Sequence, residues 1–287
     1  MSYKTFLLLV TGFLLISCGY SAETSTTTSW AEVREQSGGV ITLAYVPSDG
    51  FSYTDEDGNL TGVTIEIFRD FVAFVSDEYD VELEVIYQPI DRFGIFYDKV
   101  KQAESGFFGV ANVTITEERK NELKFSPPYM RNIATLITHS DIEEINSFDE
   151  LSEKFEGLNA LAFEGTLHEE RLRTIVEERI PEALIYFAQS NNEIIERTAA
   201  ENSYFAYVDI YNYWRASESG MAPRRHQAGD EASEEFGMIM PLSSDWDSVV
   251  TEFFEADGGY VRSERYRGLM ETHLGAGLAD LLIAQFE

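Results

Sequence analysis

Apolar and β-branched side chains run almost unbroken through VITLAYV (40–46) and GFFGVANV (106–113), and VELEVIY (81–87) reads as a further strand. The two unbroken runs predict buried parallel strands. Between them the period changes: in VTIEIFRDFVAFVSDEY (63–79), Ile65, Phe68, Val72 and Val75 recur at helical spacing, and FGIFYDKVKQAES (93–105) predicts another helix. Ser29 is placed to cap a short helix through Glu35, and Asp57-Gly58 turns a hairpin or wide loop between Phe51–Tyr53 and Leu60–Gly62. Pro127-Pro128 interrupts the alternation, which then resumes. NIATLITH (132–139), LNALAF (158–163), ALIYFA (183–188) and YFAYV (204–208) predict strands, and 164–179 and 191–201 predict helices. Ser147 to Glu150 has the capping-box pattern, and the polar stretch SESGMAPRRHQAGDEASEE (217–235) is expected as a mobile loop. Repeated β–α alternation predicts an α/β fold with helices on both faces of a mostly parallel sheet, and ligands on such sheets bind where strand carboxyl ends meet helix starts.

Length adds that 287 residues exceed one ordinary core and suggest about two domains. Charge adds more: 51 acidic against 21 basic residues give a net charge of −30, which repels nucleic acid and anionic lipid headgroups and leaves no expected nucleic-acid partner. The N-terminus carries one basic residue, Lys4, then an apolar run from Phe6 to Ile16, short for a membrane span but suited to a secretory segment over 1–17. The run ends in Leu15-Ile16-Ser17-Cys18, which looks like the lipobox of bacterial lipoproteins, with Cys18, the chain's sole cysteine, as the acylated first mature residue. Residues 18–29, rich in Ser and Thr, are expected as a flexible lipidated tether.

Three strand ends carry candidate chemistry. After GFFGVANV, Thr116 sits where a helix cap belongs, with Glu117 and Glu118 in the first turn. Arg119 there would present a rigid fork to a carboxylate, with Thr114 as a further donor; a surface arginine paired to a neighbouring glutamate fits the spacing equally well. After LNALAF, Thr166-Leu167-His168-Glu169 fits a capping box, either a plain helix start or one whose Leu167 amide faces an anion. After YFAYV stands Asp209, a helix cap or an acid offered to a ligand. Phe93, Phe96 and Phe163 are lining candidates whose default role is core.

ITLAYVPSDGFSYTDEDGNLTGVTIEIF, ANVTITEERKNELKFSPPY and GGYVRSERYRGLMETHLGAGLADLL together resemble the bacterial extracellular solute-binding proteins of family 3, the polar amino-acid class of type II periplasmic binding proteins, in a lipoprotein form. The resemblance implies two lobes, 30–130 with 237–287 and 131–236, each a mostly parallel sheet flanked by helices, joined by two hinge crossings near Tyr129–Ile133 and Glu235–Met240. It implies that Arg119 grips a ligand carboxylate, that Thr114 adds a hydroxyl and the Thr166–Leu167 turn backbone donors, and that Asp209 holds the ammonium. Asn112 stands where the family often has a glycine whose carbonyl accepts that ammonium. Gly50 replaces a family proline, so Phe51 or Tyr53 takes the stacking role; Phe93 and Phe163 would line the pocket, and Glu164 suits a cationic or polar ligand side chain. The expected role is a lipid-anchored extracytoplasmic binder of a small zwitterion, an amino acid or relative, serving an ABC permease or a membrane sensor, with no cofactor or metal.

Enzymatic readings have less to stand on. His139, His168, His226 and His273 lack metal-ligand spacing and no G-x-S-x-G elbow occurs. The TEERK…FSPPY pattern is also similar to the regulatory lobes of membrane-bound lytic transglycosylases, whose lysozyme-like domain is not expected in the residues after the last expected helix. Cyclohexadienyl dehydratases of the same fold remain as an alternative, as does a sensor of cell-wall peptides.

Overall fold

The computed structural model describes residues 27–286, so the expected secretory segment, Cys18 and the tether up to residue 26 lie outside the described residues. The last tether residues are not loose. Thr27 donates to the Ser105 carbonyl at 2.7 Å, and Thr28 exchanges hydrogen bonds with Val40. Ser29 caps α1 (Trp30–Gln36) through a capping box with Glu32.

The first half contains β1 (Gly38–Tyr45), a small hairpin of β2 (Tyr53–Thr54) and β3 (Leu60–Thr61), α2 (Val63–Tyr79), β4 (Glu82–Pro89), α3 (Phe93–Lys101) and β5 (Phe107–Thr114). Short β6 (Leu123–Phe125) follows, and β7 (Met130–Thr138) leads into the second half. There the order is α4 (Leu151–Lys154), β8 (Asn159–Phe163), α5 (Leu167–Arg179), β9 (Ile185–Ala188), α6 (Asn191–Ala200), β10 (Tyr204–Asp209) and α7 (Ile210–Glu218). The chain returns through β11 (Arg224–Pro241) to α8 (Asp247–Glu255), α9 (Glu264–Leu274) and α10 (Ala276–Ile283).

Among the described residues nine strands form one sheet in the order β4-β1-β5-β11-β7-β10-β8-β9, with β6 also on β11. Each half keeps a parallel trio, β4-β1-β5 and β10-β8-β9. The antiparallel strands β7 and β11 join them. Helices cover both faces of each half, because successive strand residues point to opposite sides. In the first half Ile41, Phe68, Phe108 and Trp246 pack on one face, and Phe96, Val100, Leu123 and Ile239 on the other. In the second, Leu136 packs with Phe155, Leu172 and Phe205, and its neighbour Ile137 with Leu161, Ile194 and Val208.

Three local expectations are corrected. The polar stretch expected as a mobile loop supplies the first half of β11, an 18-residue strand. Backbone pairing with β7 runs from Arg224↔Thr138 to Phe236↔Met130, and the polar side chains find partners, as in Arg225–Asp230 and Arg131–Glu235. Thr116 caps only one 3₁₀ turn, Arg119–Asn121, because β6 begins two residues later and pulls the chain back to the sheet. The Ser147 hydroxyl makes no cap bond; its segment opens as a 3₁₀ turn in which the Glu150 amide bonds the Ser147 carbonyl.

Candidate ligand-binding cleft

The carboxyl ends of β5, β8, β9 and β10 meet helix starts around one cavity of about 400 Å³. Both halves of the molecule line it.

From the first half comes Arg119. Its Nη1 donates to the Thr114 carbonyl at 3.1 Å, and its guanidinium lies 5.9 Å from the Phe93 ring centre and 5.6 Å from that of Tyr97. The neighbouring acids are engaged elsewhere: Glu117 pairs with Lys120, and Glu122 takes Lys101 and the Tyr97 hydroxyl. Among the described residues Arg119 therefore has no carboxylate partner, and the surface-pair alternative does not hold. Thr114 is buried beside it and also lines the cavity. Burial and the bond to Glu122 push the Tyr97 hydroxyl pKa well up, which keeps this ring neutral against the guanidinium.

Asn112 takes a left-handed conformation, φ +52°, inside β5, a position natural to glycine and tolerated by asparagine. Its side chain is held from both ends: Oδ1 accepts from the Tyr129 hydroxyl at 2.9 Å and Nδ2 donates to the Tyr211 hydroxyl at 3.3 Å. This makes Asn112 a bridge from β5 to α7 as well as a cavity wall.

From the second half comes Asp209, the last residue of β10 and the N-cap position of α7. Its carboxylate makes no cap bond to the helix. It is buried, 8% exposed, with Oδ1 accepting from Asn132 Nδ2 at 2.5 Å and lying 3.2 Å from His168 Nε2. The other oxygen, Oδ2, has no hydrogen-bond partner among the described residues. Thr166 caps α5, its Oγ1 accepting from the Glu169 amide, and Thr166, Leu167 and His168 place the helix's first turn on the cavity wall. First-turn amides lack intrahelical partners and favour an anion.

Tyr53, Phe93 and Phe163 also line the cavity, whereas Phe51 and Glu164 do not. Phe51 is 1% exposed and packs its ring 4.5 Å from that of Tyr211. The tight Ser48–Ser52 bridge, turned at Gly50 with φ +82°, sends Phe51 inward and leaves Tyr53 for the cleft. Glu164 falls in the turn after β8 and is exposed. Phe96 is wholly core.

The sequence reading missed several lining residues. Gln189 to Asn192 stand at the β9–α6 junction, where Ser190 caps α6 by accepting from the Glu193 amide. The strand-end rule applied there would have found them. Tyr211, Asn212 and Arg215 lie on the first turns of α7, and Arg215 reaches across to Asp49, pairing with Oδ2 at 3.1 Å and the carbonyl at 3.0 Å. His168, rejected as a metal ligand, sits against Asp209.

Among curated proteins none matches this chain. Solved structures with the same fold include an ancestral amino acid-binding protein described as a precursor of cyclohexadienyl dehydratase, at 18% identity and TM-score 0.63, covering 85% of this chain and 98% of that one. A putative L-cystine ABC transporter protein from Listeria monocytogenes aligns at 13% identity and TM-score 0.63, over 83% and 97% of the chains. An ABC uptake transporter substrate-binding protein from Streptococcus pneumoniae with bound histidine aligns at 16% identity and TM-score 0.61, over 86% and 96%. The sequence profile of the bacterial extracellular solute-binding proteins, family 3, matches residues 41–275, and the two-lobed sheet with its cleft is that family's type II fold. The chain belongs to the bacterial extracellular solute-binding proteins, family 3.

Proposed function

We propose that this chain closes on one α-amino acid, with Arg119 taking the carboxylate, Asp209 the ammonium, and the Thr166–Leu167 turn and Thr114 adding donors. The observation that carries this reading is the pairing of opposite, uncommitted charges across one cavity. Arg119 has no ion-pair partner among the described residues, and Asp209 Oδ2 has none, although both are held in place by other bonds. A zwitterion supplies both missing partners at once. The amino acid-binding descriptions of the neighbouring structures support the ligand class.

In the same reading the lobes are 30–130 with 237–287 and 131–236, hinged on β7 and β11, and the ligand passes to an ABC permease. Cys18, outside the described residues, would anchor the protein to the outside of a bacterial membrane; the family's extracellular placement supports the compartment. Replacing Cys18 by Ala is expected to abolish incorporation of a fatty-acid analogue, and labelling equal to the parent would remove the anchor.

A thermal-shift screen of amino acids, prephenate and muropeptides tests the ligand class. Saturation at about 100 times Kd adds ~2.7 kcal/mol, a shift of several degrees for a chain of this length. A shift with prephenate or muropeptides and none with any amino acid would replace this reading by the dehydratase or the cell-wall sensor.

A further inference from the structure

Behind Asp209 the side chains close a ring of polar contacts. Asn132 Nδ2 donates to Asp209 Oδ1 at 2.5 Å and to Glu234 Oε2 at 2.6 Å. Glu234 pairs through Oε1 with Arg171 Nη1 at 2.5 Å, and the same Nη1 lies 3.0 Å from His168 Nδ1. His168 Nε2 then returns to Asp209 Oδ1 at 3.2 Å. Arg171 is further fixed by Glu231 at 2.7 Å, and its guanidinium lies 5.9 Å from the Tyr207 ring centre, while the His168 ring stacks on Tyr207. Asn132, His168, Asp209 and Glu234 are all buried.

The ring depends on an irregularity in β11. Residues 231 and 234 are three apart, so a regular strand would point them to opposite faces. The pairing of β11 with β7 shifts register between Ala232 and Glu234, and such a bulge re-aims side chains, here turning both Glu231 and Glu234 onto Arg171.

The ring also settles where the imidazole carries its hydrogen. A guanidinium can only donate, so Arg171 makes His168 Nδ1 an acceptor. The hydrogen is then on Nε2, pointed at Asp209 Oδ1. Asn132 donates to the same oxygen, so two donors hold Oδ1 and leave Oδ2 for the cleft.

We propose that His168 is a positioning residue for the ammonium subsite: fixed by Arg171 as the Nε2–H tautomer, it orients the Asp209 carboxylate toward a ligand it does not itself grip. This rests on the amino-acid reading of Asp209. The ring members Asn132 on β7 and Glu234 on β11 tie that orientation to the two strands that join the halves.

The test uses the full chain, His168→Leu, His168→Gln and Asp209→Asn, titrated calorimetrically with the α-amino acid that gives the largest thermal shift, starting from L-histidine, L-arginine and L-glutamine, and with its deamino acid. Glutamine carries an amide nitrogen where Nε2–H stood, whereas leucine fills the space without a donor. A hydrogen bond to a charged group is among the stronger ones, so His168→Leu is expected to weaken the bound amino acid about tenfold or more. Its deamino acid should change less than about threefold, and His168→Gln should restore most of the amino-acid affinity. Equal loss for amino and deamino acids, or no loss for either, overturns the positioning role. Insensitivity of amino-acid binding to Asp209→Asn, or no amino acid binding the parent in the thermal-shift screen, overturns the amino-acid reading instead. A ligand-independent readout separates the two: ¹⁵N spectra of the parent should show the His168 hydrogen on Nε2, and a hydrogen on Nδ1 alone would contradict the ring.

Discussion

Arg119 is steered by one carbonyl and two aromatic faces and meets no acid among the described residues, so its donor fork is available to a ligand. Truncating one partner of a desolvated charge pair typically costs ~2–5 kcal/mol, so Arg119→Ala is expected to weaken amino-acid binding at least about tenfold by calorimetry. Unchanged affinity would take Arg119 out of the cleft's chemistry. His226 acts on stability. It is wholly buried, with the Ile145 amide donating to Nδ1 at 3.2 Å and Nε2 lying 2.7 Å from Thr138 Oγ1. Burial first, then Arg224 and Lys154, lower its pKa from 6.5 to about 4. Because the folded pKa is depressed, its contribution is intact above pH 6.5 and is lost as pH falls from 6.5 toward about 4. The full loss is on the order of 3 kcal/mol, at 1.36 kcal/mol per pKa unit. Urea unfolding of the parent should show this slope between those pH values, and His226→Gln should flatten it; parallel slopes would assign the acid sensitivity elsewhere.

At the scale of elements, β5 illustrates how a strand can carry a site. Asn112 breaks its conformation at φ +52° and spans to Tyr129 and Tyr211. Asn112→Gly keeps that backbone while Asn112→Ala strains it by roughly 1 kcal/mol, so the alanine variant is expected to be the less stable of the two in urea. Because the side-chain bridge is absent from both, the opposite order would contradict backbone strain at φ +52° as what sets the difference. Strand and helix identities were legible because burial on two faces writes long apolar runs, as in β1, β5, β8 and β10. β11 was not: its first half is polar because it meets ion-pairing partners, so hydropathy marks it as a loop although its backbone pairs with β7 on both sides of two register shifts. Arg119 and Asp209 were readable from the strand-end rule and the family pattern. The ring behind Asp209 was hidden, since Asn132, His168, Arg171 and Glu234 are scattered over 103 positions and converge only through the bulge.

At the scale of the whole molecule, β7 and β11 join the two halves, and Asn112–Tyr211 and Asp49–Arg215 are among the contacts that cross between them. Asp49–Arg215 spans the cleft near the cavity, with Arg215 40% and Asp49 54% exposed, so the pair contributes little in water. In the proposed reading, closure draws chiefly on the ligand's own contacts with both halves. Small-angle scattering is expected to show a smaller radius of gyration on adding a proven ligand, and an unchanged radius would argue against closure. The most direct test of the central claim is calorimetry of the parent chain with one bound amino acid, its N-acetyl derivative and its decarboxylated amine. If Arg119 and Asp209 hold the two ends of a zwitterion, the amino acid binds and both derivatives lose affinity by at least about tenfold, since each leaves one cleft charge unpaired. Binding of either derivative as tightly as the parent amino acid would contradict the clamp.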